Sequence, residues 1–349
     1  MTSVPQPPSP LPPLPPLPPL PPLPPLPPLQ SVRIASHAAG PQLVITGAVH
    51  GNEVCGTLAI RRVLAEFESG ALVLRRGAVT FVPVCNPLAF QRGQRAGDRN
   101  LNRALEPRPA PHDNEDRLAN WLCPLLAAHD GLLDLHSFHS GGAPFVMVGP
   151  MDNGGPLEPF HQATTEEALA RALGVPRAVD GWLGTYANGV AQRAQQARAD
   201  GLAAEALPEL HPRYGVGTTE YMRSQGGWGL TLECGAHTDP QSPEVAWRAI
   251  HRTLAHLGMT DEAPPQPVAG IEALSLHAVV DKQHADDRFV RDWQSFDPVQ
   301  AGTLIGHRAS GAPVQAPGDG WLVFPNPRAE ARQEWFYLAR ASGRFAAAG

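Results

Sequence analysis

Apolar residues fall along the chain in two rhythms. Leu43, Val44 and Ile45 form an unbroken branched run, the pattern of a strand buried on both faces of a parallel sheet. Gly47 and Gly51 interrupt it. From Val54 to Phe67 the rhythm becomes helical, with Leu58, Val63, Leu64 and Phe67 at helix spacing. The same alternation predicts strands at Ala78–Cys85, Gly131–Leu135 and Gly229–Cys234. It predicts helices at Asn114–Ala128 (apolar face Leu118, Trp121, Leu122, Leu125), Ala163–Leu173, Ala187–Ala206 and Pro243–Leu257. The stretches Asn86–Arg103 and Leu207–Gly227 carry few core residues and read as loops, the second of a kind that lids a site. The expected class is α/β, a mixed sheet flanked by helices.

Both ends of the chain depart from this alternation. Leu11–Leu29 repeats L-P-P, which allows only an extended polyproline II rod or a disordered tail, so residues 1–30 are set apart. Such a tract can serve aromatic-lined grooves, or be a repeat expansion without function. After the Pro-rich linker Asp261–Pro267, short strands and turns follow, with P-G-D-G at Pro317–Gly320. The division expected is 1–30 tail, 31–262 α/β domain and 263–349 small all-β domain. The run A-P-G-D-G-W-L-V-F resembles hairpins of modules that carry lipoyl or biotinyl groups. No lysine stands at that turn, so no attached cofactor is expected there.

With 349 residues the chain can bury a large core, and a formal net charge of −6 argues against nucleic acid or an anionic membrane as partner. No apolar run approaches the roughly 18 residues of a spanning helix. The four cysteines, Cys55, Cys85, Cys123 and Cys234, show no CxxC spacing. With no signal-peptide pattern they read as free thiols and buried fillers in a reducing cytoplasm. Lys282 is the only lysine and stands far from any Gly-rich loop, which removes a P-loop and disfavours Schiff-base chemistry. Composition neither indicates nor excludes a homo-oligomer.

Polar residues gather where the apolar strands end. His50 and Glu53 follow the first strand, in the crevice where open α/β sheets place ligands. An imidazole and a carboxylate so spaced can share one Zn²⁺, or simply decorate a surface turn. G-L-L-D-L-H-S-F-H places His136 just past another buried strand. His136 is the natural third ligand, with Asp134 able to orient a ligand histidine, while His139 lies deeper in the loop as pocket lining. Glu233 ends the fourth strand. A carboxylate there serves as a general base or sits in a buried ion pair. The arginines of Asn86–Arg103 suit a carboxylate or a polarised carbonyl.

Taken in order, G-A-V-H-G-N-E, N-P…R…N-L-N-R, D-L-H and L-E-C-G resemble the succinylglutamate desuccinylase and aspartoacylase family, of the wider zinc carboxypeptidase-like fold. The resemblance runs from about Val44 to His237, and the C-terminal β region fits it. It implies one Zn²⁺ per chain on His50, Glu53 and His136. It implies Arg95 as the group polarising the scissile carbonyl, Asn102 and Arg103 as binders of the substrate carboxylate, and Glu233 as the catalytic base. Asn100 departs from the family's D-L-N-R, where an aspartate supports a zinc-ligating histidine. An asparagine still accepts a hydrogen bond but carries no charge, or Asp98 substitutes for it. The implied reaction is hydrolysis of an N-acyl amino acid or related small amide. A zinc carboxypeptidase acting on short peptides and a non-catalytic metal-binding scaffold are the alternatives, and a pure binder would need neither Glu233 nor Arg95.

Overall fold

The computed structural model describes residues 29–199, 201 and 208–345. The L-P-P tract up to residue 28 and the last part of the expected 187–206 helix lie outside them. In chain order the elements are β1 (Val32–Ala35), β2 (Gln42–Gly47), α1 (Cys55–Ser69), β3 (Ala78–Val82), α2 (Pro87–Arg92), α3 (Asn114–Ala127), β4 (Gly131–Phe138) and β5 (Phe145–Met147). Next come α4 (Ala163–Leu173), β6 (Arg177–Asp180), α5 (Trp182–Ala199), α6 (Thr218–Ser224), β7 (Trp228–Ala236) and α7 (Ser242–His256). The chain closes with β8 (Glu272–Asp281), β9 (Arg288–Phe289), β10 (Asp297–Val299), β11 (Leu304–His307), β12 (Pro313–Gln315), β13 (Gly320–Val323) and β14 (Glu334–Ala341).

One mixed sheet runs β1-β3-β2-β4-β7-β5-β6-β8-β14-β13-β10, and a separate small sheet runs β12-β11-β9. β3, β2, β4 and β7 are parallel, so their carboxyl ends share one edge. β5 pairs antiparallel with β7, and β8 joins the parallel neighbour β6, which makes the C-terminal strands β14, β13 and β10 continuous with the main sheet.

Strand alternation explains the double burial of β2. Leu43 and Ile45 pack with Ala59, Ile60 and Val63 of α1 and with Ala246 and Ile250 of α7. Val44 faces the other way, toward Leu118 and Leu122 of α3. Leu58 stands off the core face of α1 and is 48% exposed. Its spacing is helical, but its azimuth lies outside the stripe set by Ala59, Ile60 and Val63.

Several expected boundaries move. β1, β5 and β6 were not legible as strands because each is only three or four residues long. The expected loop Asn86–Arg103 contains α2. Asn86 caps it by accepting the Ala89 N–H at 3.1 Å, Pro87 opens it, and Gly93 closes it in the left-handed region. Within the expected Leu207–Gly227 loop, α6 follows two short 3-10 turns, Pro208–Leu210 and Pro212–Gly215; Leu207 lies outside the described residues. Among the described residues, no helix is long and apolar enough to cross a membrane.

Candidate functional site

The site grows from the shared carboxyl edge of β2, β4 and β7. Past β2 the chain turns sharply through Ala48, at φ 46°. The Cys85 and Asn86 N–H groups tie this turn down by donating to the Gly47 and Ala48 carbonyls, each at 3.0 Å. Gly51 is required by close approach, since a Cβ there would overlap the Ala89 backbone of α2. The turn presents His50 and Glu53. β4 carries Asp134 and His136 two residues apart, hence on one face, and its register sets His136 opposite Glu233 of β7.

His50, Glu53 and His136 are buried, and one ligand atom from each lies within 4.8 Å of the others. His136 Nδ1 lies 2.8 Å from Glu53 Oε2. His50 Nδ1 lies 2.9 Å from Glu53 Oε1, yet the angle makes no hydrogen bond, so this buried nitrogen has no hydrogen-bond partner. Each ring is held from behind, His136 Nε2 by Asp134 Oδ2 at 2.8 Å and His50 Nε2 by Asn100 Oδ1 at 3.0 Å. Two nitrogens and a carboxylate thus face one point, with the opposite nitrogens oriented by acceptors. This donor set suits a divalent cation such as Zn²⁺.

The electrostatics agree with that fit. Burial, aided by the Arg95 charge, pushes His50 down to about 4, so its imidazole is neutral near pH 7. Burial alone would raise Glu53, but His50 and His136 outweigh it and hold the carboxyl well below its usual range. For His136 burial is outweighed by Asp134 and Glu53, which raise it well above the ordinary histidine value. The two anions that hold a proton there equally favour a bound cation.

Glu233 lies against the same space. Burial raises its carboxyl to about 8 against the pull of His136, and Oε2 has no partner. Arg95 donates from Nη1 to Glu53 Oε1 at 2.9 Å, is half exposed and keeps its other donors available. Arg103 is buried, its guanidinium 5.0 Å from the Trp182 ring and 4.9 Å from that of Tyr186, and it donates to the Asn102 carbonyl. The Asn102 side-chain oxygen accepts the Thr218 N–H at 2.9 Å, joining this loop to α6. All seven expected site residues line or floor one cavity of about 890 Å³.

His139 also lines the cavity, with Nε2 on the Pro325 carbonyl at 2.7 Å. Asp98 is engaged away from the histidines, where it accepts the Asn114 N–H at 3.0 Å. Cavity residues that sequence reasoning missed include His237, held through Nδ1 by Ser137 Oγ at 2.8 Å, and Tyr337, whose buried hydroxyl has no partner. No local pattern marks either one. A third missed group is the buried Arg223, which meets Glu166 at 2.8 Å and Glu158 at 2.9 Å.

Known proteins resemble this chain in sequence and in fold. The family profile described as the succinylglutamate desuccinylase/aspartoacylase catalytic domain matches residues 39–236. A curated relative, the N-alpha-acetyl-L-2,4-diaminobutyric acid deacetylase of Halomonas elongata, is 24% identical over 307 residues, covering 84% of this chain and 79% of that protein. The crystal structure of a succinylglutamate desuccinylase/aspartoacylase from Rhodobacter sphaeroides superposes with a TM-score of 0.66 at 19% identity, covering 90% of each chain. The product-bound ectoine utilization protein EutE (DoeB) of Ruegeria pomeroyi gives 0.65 at 20% identity, covering 89% of this chain and 88% of that one.

Proposed function

Because the chain belongs to the succinylglutamate desuccinylase/aspartoacylase family, we propose that it is a zinc-dependent deacylase that hydrolyses the amide bond of an N-acyl amino acid or a related small carboxylated amide. One observation carries the reading. His50 and His136 turn their Nδ1 atoms to Glu53 while acceptors hold their Nε2 atoms, and the unpartnered Glu233 Oε2 lies against the same cavity.

His50, Glu53 and His136 would hold the Zn²⁺, which supplies Lewis acidity and lowers the pKa of water to about 7. Glu233 accepts the proton of the attacking water at Oε2 and returns it to the amide nitrogen as the C–N bond breaks, giving a carboxylate and an amine. Burial keeps this carboxylate poorly solvated and its affinity for a proton high, as a base working near neutrality requires. Arg95 reaches the carbonyl oxygen as charge develops on it, a contribution of a few kcal/mol by analogy with other oxyanion donors. Arg103, held against the Trp182 and Tyr186 rings, and the Asn102 amide hold the substrate carboxylate and so orient the amide.

The test is metal analysis of the purified protein joined to hydrolysis assays over N-acetyl and N-succinyl amino acids, with chelation and Zn²⁺ add-back. Metal-dependent release of free amine supports the reading. A protein that binds no metal, or cleaves short peptides in preference to every N-acyl amino acid, overturns it.

A further inference from the structure

The two imidazoles that face Glu53 rest on chemically different atoms. Behind His136 stands Asp134, a fully buried carboxylate that also accepts the Thr46 and Thr218 hydroxyls. Behind His50 stands Asn100, whose Oδ1 accepts the Asn102 backbone N–H at 2.9 Å as well as meeting His50 Nε2 at 3.0 Å. The backbone identifies which atom of the Asn100 amide faces His50. A main-chain N–H only donates, so the atom facing it is the oxygen. That oxygen has no proton to give, so His50 Nε2 must be the donor. His50 Nδ1 is then the nitrogen that faces Glu53.

Among the described residues, two carboxylates touch the histidine pair, Glu53 and Asp134. An aspartate at position 100 would add a third buried anion. The neighbouring Asp98 does not supply one, since it is bound to the Asn114 N–H. We propose that Asn100 is a positioning residue that keeps a proton on His50 Nε2 without adding charge, so that the metal is held less firmly from the His50 side than from the His136 side. The proposal rests on the zinc reading given above.

Two readouts test it, neither of them activity. In the metal-free full chain, nitrogen NMR of labelled histidine should show His50 protonated at Nε2. In Asn100→Ala that preference should vanish. In competition against a chelator at one fixed pH, Asn100→Asp should bind Zn²⁺ about tenfold tighter than wild type and Asn100→Ala about tenfold weaker. Asp134→Asn should lose more than Asn100→Ala, toward the hundredfold end of the range known for residues that orient metal ligands. Asn100→Asp is isosteric and still accepts the Asn102 N–H, so it serves even where the alanine variant fails to fold. Equal Zn²⁺ affinity in Asn100→Asp and wild type, or an Nδ1–H tautomer at His50 in wild type, overturns the proposal. A wild-type chain that takes up no Zn²⁺ overturns the zinc reading and the metal half of the proposal, and the imidazole spectrum then still decides the tautomer half.

Discussion

The two sides of the cavity are held in place by different means. On the strand side, Asp134, His136 and Glu233 stand on β4 and β7, and backbone pairing sets their spacing: Asp134 opposite Thr231, His136 opposite Glu233. On the loop side, one buried glutamate near the start of a helix ties each segment. Glu115 in the first turn of α3 accepts the N–H groups of Gly97, Asp98 and Arg99 at 3.0, 3.1 and 3.2 Å, and the Asn86 side-chain amide at 2.8 Å. Glu166 in the first turn of α4 accepts the Gly149 N–H at 2.6 Å and meets Arg223, and it reaches across to the strand side by accepting the Gly229 N–H of β7 at 2.8 Å. Helix N-termini favour a negative charge. Many backbone bonds share the load in the strand half. In the loop half, single side chains carry it.

The largest effects are expected where the two halves meet. His50→Ala and His136→Ala should each leave two ligands and lose the metal with all hydrolysis, whereas His139→Ala should retain it. Metal content per chain, measured after dialysis, decides this. If His139→Ala loses metal and His136→Ala keeps it, the ligand set is wrong. Next comes Glu233→Gln, which should keep zinc and lose at least three orders of magnitude in kcat, because an amide cannot accept the water's proton.

The arginines then separate ground-state from transition-state contacts. Arg95→Ala should lower kcat by about two orders of magnitude with little change in KM, as removal of an oxyanion donor does. Arg103→Ala should mainly raise KM, because a substrate carboxylate is present equally in both states. Steady-state kinetics on one N-acyl amino acid and on its neutral analogue tests both. Equal slowing of the two substrates by Arg103→Ala would make Arg103 a packing residue against Trp182 and Tyr186.

This contrast also marks what could be read from the chain. The strand side was legible because a buried parallel strand is a mostly apolar run, and His136 and Glu233 stand where two such runs end, at the ligand-bearing edge. The loop side was legible only as chemistry, through its arginines and asparagines. Its shape depends on Glu115 and Glu166, and a glutamate in the first turn of an amphipathic helix looks like any solvated one. One signal was there to find. Asn86, Pro87 and Gly93 form the start and stop pattern of a short helix, and the charged residues around them obscured it. Tyr337 depends on tertiary approach over a long sequence separation, which no local pattern encodes, whereas the Asn100 contact was foreshadowed by the motif it departs from.

Glu115→Ala should dismantle the loop side while sparing the strand side. Three backbone N–H groups and the Asn86 amide would lose their acceptor, for a cost of roughly 3 kcal/mol or more in unfolding free energy. Glu115→Gln keeps one accepting oxygen and should cost less. Denaturant melts give the stability, and metal titration tells the halves apart. If the β4 and β7 groups are set by register, zinc binding should weaken far less than the affinity for a carboxylated inhibitor. Equal losses in both would mean that the two halves are one cooperative unit.

The smallest expected effect concerns the charge that the loop side carries in excess. Arg223 lies among Glu166, Glu220 and Glu158. Burial pushes Glu158 up to about 7, Arg223 opposes the shift, and the repulsion of Glu220 and Glu166 adds to it. In the unfolded chain the same carboxyl ionises near 4.3. Between those values the folded protein holds a proton that the unfolded chain has released, so stability falls as pH rises. The contribution is complete below about pH 4 and is lost as pH passes through about 7. Glutamine at 158 imitates the protonated form at every pH. Glu158→Gln should therefore match wild type in acid and become the more stable of the two by pH 8, because it keeps a neutral partner for Arg223 and removes the repulsion. Paired denaturant melts of both proteins across pH 4.5 to 8 measure the divergence. Parallel curves would show that Arg223 keeps Glu158 ionised throughout, and that the loop side, like the strand side, is balanced in charge.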